Sequence, residues 1–125
     1  MSSCGQERTR RGRDGEERAA AYFLGQGYEI LARNWRTRNG EIDIIAFREP
    51  FLVFVEVKNY PHGDVSMLEQ ALGRAKRKRI IETAKYFVQK FRQYSNSYMR
   101  FDVVIVDMPG LGPLYHIENA FSENL

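Results

Sequence analysis

The stretch GEIDIIAFREPFLVFVEVK, residues 40–58, decides the fold. It contains two apolar runs, Glu41 to Phe47 and Phe51 to Lys58, on either side of Glu49-Pro50. Proline lacks an N–H donor and favours a turn, so we expect two antiparallel strands closed by a four-residue loop from Arg48 to Phe51. Both runs carry apolar residues at consecutive positions. This pattern is typical of a sheet that is buried on both faces, and it predicts helices on both sides.

The rest of the chain supplies those helices. Asp14 and Glu17 have the spacing of a helix N-cap and its partner, and apolar residues follow at helical spacing, which predicts a helix over 15–25. A long helix between the third and fourth strands predicts a parallel crossover and therefore a mixed sheet. We expect an α/β domain over 14–125 in the order α-β-β-β-α-β-β, after a flexible basic tail at 1–13. The remaining predicted elements are strands at 28–35, 101–107 and 114–121 and a helix at 67–91.

Three charged residues, Asp43, Glu56 and Lys58, interrupt the two apolar runs. Charges inside buried strands are costly unless they are compensated. Strand side chains alternate with period two, so Glu56 and Lys58 share a face. Counting outward from the turn pairs Phe47 with Leu52 and Asp43 with Glu56. The two carboxylates should then face each other and repel, unless a cation lies between them.

A divalent cation would convert this repulsion into coordination. Asp43 and Glu56 would hold Mg²⁺ or Mn²⁺ with the Val57 carbonyl as a third ligand, and the ion would polarise a scissile phosphate and acidify its water. Lys58 would orient that water or stabilise developing charge. Glu16, on the apolar face of the first helix, could hold a metal-bound water. In the same register Glu41 faces Lys58, so an ion pair is an alternative use of this lysine.

Clustered positive charge points to nucleic acid, although the net charge is only +3. Solvated helix faces are the alternative explanation. Lys76 could reach a phosphate or lie over the core, and Asp102 could pair with Arg100 or Lys76. The candidate nucleic-acid contacts are Arg36, Arg38, Tyr60, Arg74, Lys76 and Arg77.

The remaining features bear on the compartment. Cys4 is the only cysteine, which excludes an internal disulfide and is consistent with a reducing compartment. The first residues lack the apolar core of a secretory signal, and no apolar run approaches a membrane span. We expect a cytoplasmic protein without membrane association.

The same residues resemble known families. GEIDIIAF followed by FLVFVEVK resembles the PD-(D/E)xK nuclease motif of the restriction-endonuclease-like superfamily. Over about residues 12–121 the chain also resembles the YraN-like family of small bacterial proteins, which is similar in fold to archaeal Holliday-junction resolvases. The resemblance implies metal ligands at Asp43 and Glu56, a catalytic Lys58 and an acid at Glu16. The family usually has arginine where this chain has Tyr60, which puts one phosphate contact in doubt.

Three functions are consistent with these sequence features. The intact set of Asp43, Glu56 and Lys58 favours a Mg²⁺-dependent phosphodiesterase, an endonuclease acting on nucleic acid, with branched DNA as a candidate substrate. A non-catalytic nucleic-acid-binding module that keeps the nuclease fold is the main alternative. A protein–protein adaptor is disfavoured by the basic clusters. Resolvases cut two strands with two sites, so analogy suggests a homodimer.

Overall fold

The computed structural model describes residues 3–59, 61 and 72–123, with the side chains of the first helix described from residue 12 onward. It confirms an α/β fold in the predicted order α-β-β-β-α-β-β. The elements are α1 (Ser3–Gly25), β1 (Glu29–Arg36), β2 (Glu41–Arg48), β3 (Phe51–Asn59), α2 (Arg74–Lys90), β4 (Tyr98–Val106) and β5 (Leu114–Phe121). A 3-10 turn, Arg92–Tyr94, follows the helix that precedes β4.

The five strands form one mixed sheet in the order β1-β2-β3-β4-β5. Only β3 and β4 are parallel, and α2 connects them, as the sequence predicted. Each face of the sheet has its own apolar cluster. Phe23 of α1 packs on one face with Val55 and Val104, whereas Phe87 of α2 packs on the other with Phe54. Both faces are therefore covered by helices.

Helix α1 begins at Ser3, well before the predicted start at 15. Asp14 is not an N-cap but an exposed residue inside the helix, and it pairs with Arg18 at 3.4 Å. The physical reason is that residues 3–13 contain four arginines, one glutamine and one glutamate, which are good helix formers, and no proline. The structure thus places residues 3–13 in a helix, and the flexibility expected of residues 1–13 stays a prediction.

Helix α2 begins later than predicted. Gly73, with φ −61° and ψ 167°, has an extended backbone and precedes the first helical residue, Arg74. The predicted start at Met67 lies outside the described residues. The basic residues that follow Gly73 occupy the first two turns of α2, not its middle. They therefore lie near one end of the sheet.

Gly15 allows α1 to lie close to the sheet. A Cβ at this position would be 3.0 Å from Val106 Cγ2, closer than side chains normally pack, and 3.7 Å from Val57 Cγ1, an ordinary contact distance. Gly12, three residues earlier in the same helix, has nothing within 4 Å of a built Cβ.

We therefore expect opposite effects of the same substitution at these two glycines. Gly12→Ala should raise the free energy of unfolding by roughly 0.5–1 kcal/mol, because alanine favours helix. Gly15→Ala should lower it, so that the two variants differ by about 1–3 kcal/mol through overpacking. Urea unfolding of both variants measures the difference. Equal values would show that α1 does not pack against Val106 as described.

A buried polar cluster lies on the α1 face. Asp102 of β4 is 0% exposed, and its carboxylate accepts hydrogen bonds from Arg100 (2.9 Å) and from the Asn119 N–H (3.0 Å). Its other oxygen lies 2.7 Å from His116 Nε2. Arg100, itself 8% exposed, also donates to the Tyr28 hydroxyl at 2.7 Å. Of the partners considered for Asp102 from sequence, the structure selects Arg100.

Burial alone would raise the pKa of Asp102, but the hydrogen bonds from His116, Arg100 and the Asn119 N–H outweigh it and lower the pKa. Asp102 therefore stays ionised inside the fold. Among the residues described, neither helix combines the length and the apolarity needed to cross a bilayer.

Candidate active site

The β2–β3 hairpin has the predicted register. Phe47 pairs with Leu52 and Ile45 with Phe54. Arg48 also pairs with Phe51, so the loop is the two residues Glu49-Pro50, not four. The regular ladder ends at Ile44 and Val55, one step before Asp43 and Glu56. The two acids thus lie where regular pairing stops. The prediction that Asp43 and Glu56 form a regular ladder pair is wrong.

The ladder stops because β2 changes face at Asp43. Strict alternation would place Ile42 and Ile44 on the same side of the sheet. In the structure Ile44 packs in the cluster under α1, whereas Ile42 packs in the cluster under α2. The strand therefore twists sharply between them.

The neighbouring strand β1 makes the same change. Arg33 pairs with Glu17 of α1 at 3.5 Å, but Trp35 packs edge-on against Phe87 of α2. Between them Asn34 has φ 51°, a left-handed conformation that asparagine adopts more readily than most residues. The two strands turn together, and the turn positions Asp43. Trp35 is thereby partly buried against the core cluster under α2.

The twist brings the two carboxyl groups into contact. Asp43 Oδ2 accepts a hydrogen bond from the Val57 N–H at 2.8 Å, and the Asp43 and Glu56 carboxyl groups are themselves hydrogen-bonded. A carboxylate here takes the place of a backbone acceptor. The sequence argument that Asp43 and Glu56 lie together is confirmed, although the local geometry is a strand break and not a regular pair.

Two lysines lie beside Glu56, which is 8% exposed. Lys58 Nζ is 3.6 Å and Lys76 Nζ is 3.0 Å from Glu56 Oε2. This oxygen is buried and has no partner with hydrogen-bonding geometry among the described residues. Lys58 is therefore next to the acids, as predicted. The alternative pair of Lys58 with Glu41 is not formed, because Glu41 pairs with Arg36 at 3.3 Å.

The crowding of charge separates the pKa values of the two acids. Burial and the adjacent Glu56 raise the pKa of Asp43 to about 8. Burial would also raise the pKa of Glu56, but the hydrogen bond from Asp43 and the charges of Lys58 and Lys76 lower it. Burial lowers the pKa of Lys58, and the nearby Lys76 lowers it further. The site without metal therefore holds one proton between two carboxyl groups.

Glu16 lies near this pair but does not join it. Its negative charge contributes to the raised pKa of Asp43, and its neighbour Gly15 packs against Val57. Within the described ranges no three histidine, cysteine, aspartate or glutamate residues are grouped closely enough to hold a metal. A direct ligand role for Glu16 is thus unsupported, and its predicted role through a bound water stays a prediction.

The predicted nucleic-acid contacts divide into three groups. Arg38 and Arg74 are exposed, as is Arg36 despite its ion pair with Glu41. Arg77 is half-buried and lines a cavity of about 280 Å³ with Arg74 and Lys78. Lys76 contacts Glu56, and Tyr60 lies outside the described residues.

Comparison with known proteins places the chain in a family. The model of the uncharacterised protein family UPF0102 matches residues 15–106, most of the chain. The chain belongs to the UPF0102 family. A UPF0102 protein of Treponema denticola is 39% identical over 123 residues, covering 90% of this chain and 95% of the relative. One from Mesorhizobium japonicum is 43% identical over 122 residues, covering 96% and 93%. The resemblance to the YraN-like family is thereby confirmed.

The donors in this UPF0102 site suit a small divalent cation. Mg²⁺ is commonly held by only one or two carboxylates and keeps several waters, so a third acidic residue is not required. The buried Glu56 Oε2 and the adjacent Asp43 carboxyl group are two hard oxygen donors. The two acids therefore suit such an ion, and the Val57 carbonyl as a third ligand stays a prediction.

The raised pKa of Asp43 predicts a pH dependence of stability in metal-free protein. The folded protein keeps this proton up to about pH 8, whereas an ordinary aspartate loses it at a pKa of 3.8. Its contribution to stability is therefore present below about pH 4 and is lost as the pH rises towards 8. Asp43→Asn should remove this decline, and Asp14→Asn, at an exposed position, should keep it. Urea unfolding with EDTA between roughly pH 5 and pH 8.5 measures it. Parallel profiles for wild type and Asp43→Asn would contradict the assignment.

Proposed function

We propose that this UPF0102 protein is a divalent-metal-dependent endonuclease of the restriction-endonuclease-like superfamily, acting on DNA and in particular on branched DNA. One observation carries the proposal. Asp43 and Glu56 touch at the point where the ladder between β2 and β3 breaks, and Lys58 lies beside them. A buried glutamate next to a half-buried aspartate is costly to keep unless the pair serves a purpose, and cation binding is the use that its chemistry favours.

Each residue has a distinct role in this proposal. Asp43, Glu56 and the Val57 carbonyl would hold Mg²⁺ or Mn²⁺, which when bound supplies charge stabilisation of a phosphate and a more acidic water. Lys58, with a pKa lowered by burial, can accept a hydrogen bond when neutral and donate one when charged, so it suits positioning the attacking water or the phosphate. Glu16, on the adjacent helix, would hold a water at the edge of the site.

The basic residues would hold the nucleic acid. Arg74 and Arg77 in the first turn of α2 share the helix with Lys76, which reaches Glu56, so a strand bound along α2 would pass the acid pair. Arg36, Arg38 and Tyr60 would add contacts. The proposal places the protein in the cytoplasm, away from membranes. Cutting both strands of a junction would need two sites, which a homodimer would provide.

Cleavage of a panel of DNAs tests the proposal. Four-way junctions, flaps, single strands and linear duplexes of the same sequences would be incubated with Mg²⁺, Mn²⁺ or EDTA. We expect metal-dependent cleavage, with branched DNA preferred. Cleavage in EDTA, or no cleavage of any substrate with either metal, would reject the endonuclease.

Binding to DNA should depend strongly on salt. Each phosphate contact made by a cation contributes a slope of about −0.9 to a plot of log affinity against log salt. Replacing both Arg74 and Arg77 by glutamine should therefore make the slope less steep by about 1–2. Lys90→Gln, at the other end of α2, should leave it unchanged. Fluorescence anisotropy from low to moderate salt measures both, and identical slopes in all three proteins would exclude this surface.

One observation favours a non-catalytic binding module instead. The charge of Glu56 already has two lysine ammonium groups within 3.6 Å, so the acid pair is partly compensated without a metal. In that case DNA should bind with the same salt dependence, and Mn²⁺ should neither bind nor promote cleavage. The cleavage panel and the salt titration together separate the two functions.

A further inference from the structure

Lys76 occupies an unusual place for a residue of a basic helix surface. It lies in the first turn of α2, and its ammonium group is 3.0 Å from the buried Glu56 Oε2. The Lys76 side chain is 36% exposed, compared with 9% for Glu56. The lysine thus reaches the site from the solvent side and can leave it.

Charge balance limits how many cations can lie beside Asp43 and Glu56 at the same time. Asp43 and Glu56 supply at most two negative charges, and Lys58 and Lys76 already bring two positive charges to Glu56. A divalent ion added to this arrangement would give four positive charges against two negative. Lys58 is the more enclosed lysine, with 16% of its side chain exposed, so Lys76 is the cation that can move.

We propose that Lys76 is a built-in competitor of the divalent ion, which neutralises Glu56 in the metal-free protein and is released to bind a nucleic-acid phosphate when the ion takes its place. This inference rests on the proposed metal site. Lys76 would then be a positioning residue that couples binding of the divalent ion to binding of the nucleic acid.

The basic residues around Lys76 could hold the phosphate that Lys76 would bind after its release from Glu56. Arg74, Arg77 and Lys78, which flank Lys76 in α2, line a cavity of about 280 Å³, and Glu82 and Glu123 also line it. We expect a phosphate to be held by the three basic side chains at the start of α2, next to Lys76 in sequence, and away from the two glutamates. Because linkage is reciprocal, the ion should then strengthen phosphate binding, and the phosphate should strengthen ion binding by the same factor.

Binding of Mn²⁺ alone tests the competition. Lys76→Met removes the competing charge, and Lys90→Met removes a charge from the last turn of the same helix, where the lysine is not among the cations contacting Glu56. We expect Lys76→Met to bind Mn²⁺ at least about fivefold more tightly than wild type, and Lys90→Met to bind it like wild type. Lys76→Gln serves as a second variant, and thermal melts report whether each variant folds.

The outcomes separate this inference from the function on which it rests. If wild type and Lys76→Met bind Mn²⁺ equally, the competition is wrong and the metal site stands. If neither Lys76 variant nor wild type binds Mn²⁺, the metal site and the competition both fail.

Coupling to the substrate is the second measurement. DNA affinity would be compared with and without Ca²⁺, which should occupy the site without supporting rapid cleavage. We expect Ca²⁺ to raise the affinity of wild type several-fold more than that of Lys76→Met. An equal gain in both proteins would overturn the proposed release of Lys76 to phosphate.

Discussion

Glu56→Gln is expected to lower the rate of metal-dependent DNA cleavage by about 10³ or more, the consequence of losing several kcal/mol of charge stabilisation by a bound ion. Glutamine has nearly the same shape as glutamate but carries no charge. It would leave Asp43 as the only acidic ligand and would leave Lys58 and Lys76 facing a neutral amide. Single-turnover cleavage of the best DNA substrate, at saturating enzyme, measures the effect.

Glu49→Gln is the matched control for this experiment. Glu49 is an exposed residue in the turn of the same hairpin, so the same chemical change there should leave cleavage within about twofold of wild type, because surface substitutions rarely matter. A Glu56→Gln protein that melts normally and cleaves at the wild-type rate would remove Glu56 from the catalytic site. The endonuclease would then have to use other residues.

Asp102→Ala is expected to lower the free energy of unfolding by about 3–5 kcal/mol, the range typical of breaking a buried ion pair. Asp102 has no exposed surface, and its removal leaves Arg100, at 8% exposure, without its principal counter-charge. The Asn119 N–H and His116 also lose a hydrogen-bond partner. For a domain of this size such a loss is a large share of the total stability.

Asp14→Ala gives the comparison for this prediction. Asp14 is paired with Arg18 at 3.4 Å, but its side chain is 64% exposed, so its loss should change stability by less than about 1 kcal/mol. Urea unfolding near neutral pH, with far-UV dichroism as the signal, measures both variants. If Asp102→Ala unfolds like Asp14→Ala, the cluster around Asp102 does not stabilise the domain.

Much of the fold follows from local sequence. The parity of residues on either side of Glu49-Pro50 predicts the hairpin register, and the helix between β3 and β4 predicts their parallel pairing. The face change at Asp43 does not follow from the same pattern. It depends on the left-handed backbone of Asn34 on the neighbouring strand, and period-two alternation contains no signal for it.

Contacts between distant segments were the hardest to predict. Lys76 lies one helical turn before the buried Ile80, and this spacing indicated a residue at the edge of the core, but nothing in it selects Glu56 as the partner. Similarly, His116 lies on β5 without any local motif, and its contact with Asp102 depends on how β4 and β5 pair. The start of α2 was predicted too early because apolar spacing continues through Gly73, whose extended backbone precedes the helix.

Titration of the metal-free protein with Mn²⁺ decides whether Asp43 and Glu56 form a divalent-cation site. Calorimetry and the electron paramagnetic resonance of free Mn²⁺ would give the stoichiometry and affinity for wild type, Asp43→Asn, Glu56→Gln and Glu49→Gln. We expect one Mn²⁺ bound per chain in wild type and in Glu49→Gln. In Asp43→Asn and in Glu56→Gln we expect Mn²⁺ binding to be lost or weakened by at least about tenfold. Wild-type protein that binds no Mn²⁺ at millimolar concentration, with or without DNA, or equal binding by all four proteins, would contradict the proposed cation site.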